Sequence, residues 1–214
     1  MTIDDCARID VNMKSHVPTE KKATQVRQVE IVQAALEVIG RLGVSGLTIH
    51  ETAVTANMSE ANIYRHFRNK LEMTRAVVEF IGGQVTGRAA MLAASNGSPL
   101  EKLERIVLGH AAMIAKNPGI PRLLFSDGGI ATGGRIAQIM ASRIESFQAT
   151  LTGLVEAAVA EGSLRSCIAP RETALTIMGM VQFCVLRWLS NQSEVDLVAE
   201  VTALWRNLKT LLSA

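Results

Sequence analysis

Residues 48–70 read T-I-H-E-T-A-V-T-A-N-M-S-E-A-N-I-Y-R-H-F-R-N-K, and they decide the fold. Two short helices joined by a tight turn fit this stretch. Thr48 can N-cap the first, with Glu51 three residues on to close a capping box. Ile49, Ala53 and Ala56 then share one helical face, and the small side chain of Ala53 lets a second helix cross closely. Asn57 stands at the turn, because Asn tolerates a left-handed backbone. Ser59 caps the second helix. Ile63 points back at Ala53 and Ala56, and Phe67 closes the far end. This is helix-turn-helix spacing, in which the second helix enters a DNA major groove.

The remaining side chains of the second helix suit that use. Glu60, Ala61, Asn62 and Arg65 fall near its start or on its outer face, where Asn can read adenine and Arg guanine through paired hydrogen bonds. Tyr64, His66, Arg68 and Lys70 offer donors to phosphate oxygens. Lys70 also opens the next helix, whose free N–H groups favour an anion. Spacing alone does not settle DNA binding, because short helix pairs with an Ala-x-x-x-Asn turn also occur in proteins that never meet DNA. The run Tyr64-Arg65-His66-Phe67-Arg68-Asn69-Lys70 separates the two cases: an exposed Tyr and His beside three cations is a poor core and a good phosphate clamp.

The run S-E-A-N-I-Y-R-H-F-R-N-K resembles the signature of the TetR family of bacterial transcriptional regulators, a small residue followed by [LI]-Y-x-H-F-x-x-K. The resemblance spans about residues 24–75. It implies that Thr48, Tyr64, His66 and Lys70 touch phosphates and that Glu60, Ala61, Asn62 and Arg65 face bases. Two positions depart from the family pattern. Asn57 replaces the usual turn Gly, which the turn tolerates, and Asn62 stands where Gly, Ala or Thr is usual, adding a hydrogen-bonding side chain to the groove-facing surface.

Working outward, 48% of the 214 residues are apolar and only 4% aromatic. That supplies a sizeable core. The apolar positions recur at helical rather than alternating spacing, so the expected class is all-α, with about nine helices: an N-terminal three-helix head carrying the helix-turn-helix, and a larger C-terminal helical bundle. The net charge of +2 leaves a nucleic-acid site to a local patch. Between Ser59 and Arg75 the cations Arg65, Arg68, Lys70 and Arg75 outnumber the acids Glu60 and Glu72, a field suited to a defined duplex site. Cys6, Cys167 and Cys184 are widely spaced, with no Cys/His cluster for zinc; neither a metal nor another cofactor is expected. No signal peptide is legible. The most apolar segment, residues 174–189, is shorter than the roughly 20 residues that span a bilayer. The expected location is therefore cytoplasmic, with no membrane partner.

Three divisions are expected. Residues 1–23 read as a flexible arm, whose Lys14, His16, Lys21 and Lys22 are solvated rather than bound to DNA. Residues 24–70 form the DNA-binding head, beginning with a helix over 24–42 that buries Ile31, Ala35, Val38, Ile39 and Leu42. Residues 71–214 form a ligand-binding and dimerisation domain. Its first helix, about residues 70–93, joins head to body, with Leu71, Val77, Val78 and Ile81 available to either, and a tilt of this helix is the simplest route for a signal. Ser98-Pro99-Leu100-Glu101 is a strong helix start. The four glycines within residues 126–134 lack a following G-K-[ST] and read as a connection, not a phosphate loop. Ser193 and Asp196 mark the start of the last helix.

The last two helices carry the partner signal. Leu197, Val201, Leu204, Leu208 and Leu211 recur at spacings of four and three, with Trp205 beside them, and the helix around Phe183 is apolar almost all round. Surplus apolar faces of this kind point to a homodimer through a four-helix bundle, involving Leu197, Val201, Leu204, Trp205, Leu208 and the Phe183 helix. The partner is then double-stranded DNA, read as a palindrome by two heads about 34–36 Å apart.

The resemblance also implies that the body can hold an effector. His110, Met113, Arg122, Gln182 and Cys184 are candidate contacts (with Gln138 a further one), each also readable as ordinary core or surface, and the surrounding composition points to an apolar small molecule. No Ser/His/Asp set, metal-spaced His pair or G-x-S-x-G occurs, so an enzyme is not expected. The expected function is a sequence-specific transcriptional regulator, a repressor released from its operator by ligand. The alternative rests on N-P-G-I-P-R-L-L-F (residues 117–125), which looks like a segment in the family's nucleoid occlusion factor: a DNA-binding interaction protein of the same fold without a small-molecule effector.

Overall fold

The computed structural model describes residues 19–125, 134–190 and 195–214, with side chains from residue 24. Among these residues the elements are α1 (Thr19–Leu42), α2 (Ile49–Thr55), α3 (Glu60–His66), α4 (Lys70–Ala94), α5 (Pro99–Lys116), α6 (Gly119–Leu124), α7 (Gly134–Ala160), α8 (Pro170–Ser190) and α9 (Leu197–Leu212). No strand occurs among them; one isolated bridge pairs Leu164 with Ser213. The all-α expectation holds. The first helix differs: it begins at Thr19, so residues 19–23, read as arm, are helical. Lys14 and His16 lie outside the described residues, as do 126–133 of the glycine-rich connection and Ser193.

Local chemistry explains most helix ends. Thr48 Oγ1 accepts from Glu51 N at 3.0 Å and Ser59 Oγ from Asn62 N at 3.2 Å. Caps of this kind contribute about 0.5–2 kcal/mol each. The expected box at Thr48 is not closed. Glu51 instead turns to Arg41 of α1, 3.2 Å away, because a guanidinium outcompetes a backbone N–H for a carboxylate at that distance. Ser98 and Glu101 do form the full reciprocal box, with Pro99 in the first turn.

Two apolar cores organise the chain. The first joins Ile31, Val38 and Ile39 of α1 to Ala53, Ile63 and Phe67 of the helix pair. It runs on into Met73, Val77 and Val78 of α4, Ile120 and Leu123 of α6 and Ile136 of α7. The head therefore borrows its floor from the body, as a three-helix unit of its size requires. Leu71 and Leu42, expected inward, are 62% and 45% exposed; each lies at a helix end, beyond the packed turns. The second core lies among α5, α7, α8 and α9 and includes Leu103, Leu151, Val155, Val185 and Trp205.

Four of the expected dimer residues, Leu197, Val201, Trp205 and Leu208, need correction. Leu197, Val201 and Trp205 are 1%, 0% and 2% exposed within a single chain, and Leu208 packs against the same core. Their stripe is taken up by the chain's own body: α9 lies along α5, where Lys209 Nζ bonds Glu104 at 2.9 Å. What remains outside is the other part of the expected set, Leu204 of α9 and the Phe183 helix, with Phe183 61%, Leu186 47%, Leu211 58% and Leu204 37% exposed. A second correction concerns length. At 21 residues, α8 is long and apolar enough to cross a membrane by those criteria alone, and it is the one such helix among the described residues.

Candidate nucleic-acid interface and the chamber beneath it

The α2–α3 pair is built as its sequence demands. Asn57 adopts φ 52°, the one non-glycine residue with positive φ among those described. Ala53 is 3% exposed and Ile63 0%, so the two helices cross at a small residue and close over a branched one. Burying Ile63 turns the opposite side of α3 outward. Glu60, Ala61, Tyr64 and Arg65 are exposed and Asn62 and His66 half-buried, with Thr48 and Lys70 exposed at the flanking helix starts. None of the residues expected to contact DNA is buried.

Three of them have protein partners, two of which the sequence did not reveal. Thr48 caps α2. Lys70 Nζ donates to Val44 O at 2.8 Å and Ser45 O at 3.3 Å, which leaves one N–H for an anion and ties the α1–α2 connection to the start of α4. Glu60 Oε1 lies 2.8 Å from His50 Nδ1, an α2 residue that sequence reading passed over because nothing in its spacing marks a contact to α3. The Glu60 carboxylate, through that hydrogen bond and its charge, holds the His50 pKa above its ordinary 6.5. The sign follows: the contribution of the charged pair is fully present below 6.5 and fades as pH rises through the elevated folded value. An NMR titration should find the His50 midpoint above 6.5, and Glu60→Gln should return it towards that value; an unchanged midpoint in the variant would remove Glu60 as the cause.

Directly behind the head, α4 to α8 enclose a chamber of about 230 Å³. Its wall is mostly aliphatic, with Phe147 on one side. Of the expected ligand contacts, His110 and Gln182 line it. The His110 ring lies 5.2 Å from that of Phe147, tilted by 39°; its Nδ1 has no partner, and burial pushes its pKa down to about 4, so the ring is neutral. Met113 lines only an adjoining cleft of about 10 Å³, room for one water. Arg122 and Cys184 are not at the chamber. The Arg122 guanidinium donates to Gly40 O of α1 at 2.6 Å, and Cys184 is 0% exposed in the second core, where burial raises its thiol pKa. Arg143 and Gly82, which sequence reading did not single out, do line the chamber.

A helix-turn-helix head mounted on a larger all-α body is an arrangement found in DNA-binding transcriptional regulators, and the family matches assign that class here. Residues 31–77 match the family described as bacterial regulatory proteins, tetR family, and residues 96–199 match the tetracyclin repressor-like C-terminal domain. The chain belongs to the TetR family of bacterial transcriptional regulators. It is 25% identical to the nucleoid occlusion factor SlmA of Vibrio campbellii over 88% of this chain and 94% of that protein. It is 22% identical to the fatty acid metabolism regulator protein of Bacillus subtilis, over 83% of this chain and 91% of the relative. Among solved structures, the fold is shared with the transcriptional regulator FadR from Bacillus subtilis in complex with stearoyl-CoA. The TM-score is 0.70 at 20% identity, covering 85% of this chain and 97% of that one.

Proposed function

We propose that the chain is a repressor that binds a palindromic operator as a homodimer and is released when an apolar ligand fills the chamber. Head residues 24–70 read the DNA and residues 71–214 bind ligand and partner. The observation that carries the release step is a shared wall: Val78, Ile120 and Leu123 line the chamber and belong at the same time to the core of the head. Interiors are close-packed, so a ligand that displaces these side chains shifts the floor on which α1 and α3 rest. The relatives' association with fatty acid metabolism and stearoyl-CoA supports an acyl-type effector. The outward face of Phe183, Leu186, Leu204 and Leu211, exposed within the single chain, is the surface for the second copy.

In this reading Arg65 and Asn62 address base edges, while Tyr64, His66, Lys70 and Thr48 hold phosphates. Arg65→Ala should cost about 1–3 kcal/mol on the cognate site and relax preference at one base pair. Equal losses on cognate and scrambled duplexes would sink its base-reading role. A second reading is favoured by the Vibrio campbellii relative: binding at many chromosomal sites in nucleoid occlusion, with no ligand. Sequencing of genomic fragments captured by the purified protein separates the two. A few sites near promoters support the repressor, and many sites away from promoters support occlusion.

A further inference from the structure

We propose that the effector is an anionic amphiphile of medium chain length, its apolar body in the chamber and its acidic head on the Arg143 guanidinium at the rim. The inference rests on the ligand-released reading above and adds the ligand's chemistry to it. Size comes first. An apolar cavity of about 150 Å³ takes up benzene, so the 230 Å³ chamber accommodates a body of roughly eight or nine heavy atoms, about an octyl chain. Polarity comes next. Thr86 lines the chamber, but its hydroxyl already donates to Gly82 O at 2.9 Å. His110 is neutral and offers an anion no charge. Gln182, exposed on α8, offers an amide at the rim.

Arg143 is the charged group. It lines the chamber from α7 yet is exposed, and it makes no hydrogen bond or ion pair with any described residue. A guanidinium is always charged and its fork fits a carboxylate or phosphate. Its stem is held in place by Gly82 of α4: a Cβ added there would lie 2.6 Å from Arg143 Cγ and 3.1 Å from Cδ. The absence of a side chain at residue 82 is what lets the arginine stem cross α4 at the chamber's edge. Two sources share this chemistry, a free carboxylic acid and a phosphate-bearing thioester, and the probes distinguish them.

The test is calorimetric titration of the full-length protein with octanoate, octanoyl-CoA and octan-1-ol, followed by the same ligands against the protein–DNA complex. Octanoate or octanoyl-CoA should bind more tightly than octan-1-ol. Arg143→Ala should weaken the charged ligand by about tenfold or more while leaving octan-1-ol within a factor of about two, and Arg143→Lys should restore part of the loss. Gly82→Ala, which displaces the stem without removing the charge, should show the same selective loss. The stronger of the two charged probes identifies the source of the head. Equal binding of acid and alcohol, no binding by any of the three, or equal losses on both in Arg143→Ala would overturn the proposal. Arg143-dependent binding that leaves the DNA in place would uphold the proposal and overturn release.

Discussion

Phe183→Glu should split the dimer and lower operator affinity by about a hundredfold or more, because two heads held together gain the second half-site at high effective concentration. Phe183 is 61% exposed and belongs to neither core, so the substitution leaves the fold of each chain intact, as surface changes usually do. A glutamate on that face would be desolvated against its own symmetry copy in a two-fold interface. Circular dichroism should be unchanged, sedimentation should report a single chain, and the salt slope of residual DNA binding should fall with the loss of one head's phosphate contacts. A variant that remains dimeric with full affinity would move the interface elsewhere.

Gly119→Ala should have the second largest effect, through the junction between body and head. A Cβ at Gly119 would lie 2.3 Å from Leu36 O and 3.0 Å from Gly40 N. These are backbone atoms of α1, which cannot turn aside as a flexible side chain would. The α6 helix must therefore retreat, stretching the bond from Arg122 to Gly40 O and loosening Ile120 and Leu123 in the head's floor. Overpacking of this kind costs about 1–3 kcal/mol, and the melting temperature should fall by about 2–4 °C for each kcal/mol. DNA should also be held less well without any ligand, since the substitution pushes α6 off α1. Unchanged melting and unchanged DNA affinity together would show that α6 does not brace the head.

How much of this could be read from the chain depends on how local each cause is. Thr48, Ser59, Ser98 and Asn57 act within four residues of themselves, so the caps and the turn were legible and are found in place. Glu51 was misread because its competitor, Arg41, comes from another helix. The α9 stripe was correctly seen as apolar, but periodicity identifies a face and not its neighbour. The body's own core takes Leu197, Val201 and Trp205, leaving Phe183, Leu186, Leu204 and Leu211 outside. The shared wall of Val78, Ile120 and Leu123 needs three helices distant in sequence, so no local pattern announces it. Arg143 reads as an ordinary solvent-facing residue until the glycine opposite it, on α4, is known.

The most direct test of the central claim is sequencing of duplex fragments selected by the purified full-length protein at about physiological salt, with and without octanoate. The account predicts enrichment of an inverted repeat whose half-sites are centred about one helical turn apart, lost when Arg65 and Asn62 are both replaced by alanine and depleted when octanoate is present. Recovery of DNA with no sequence preference, or a motif indifferent to those two residues, would contradict it.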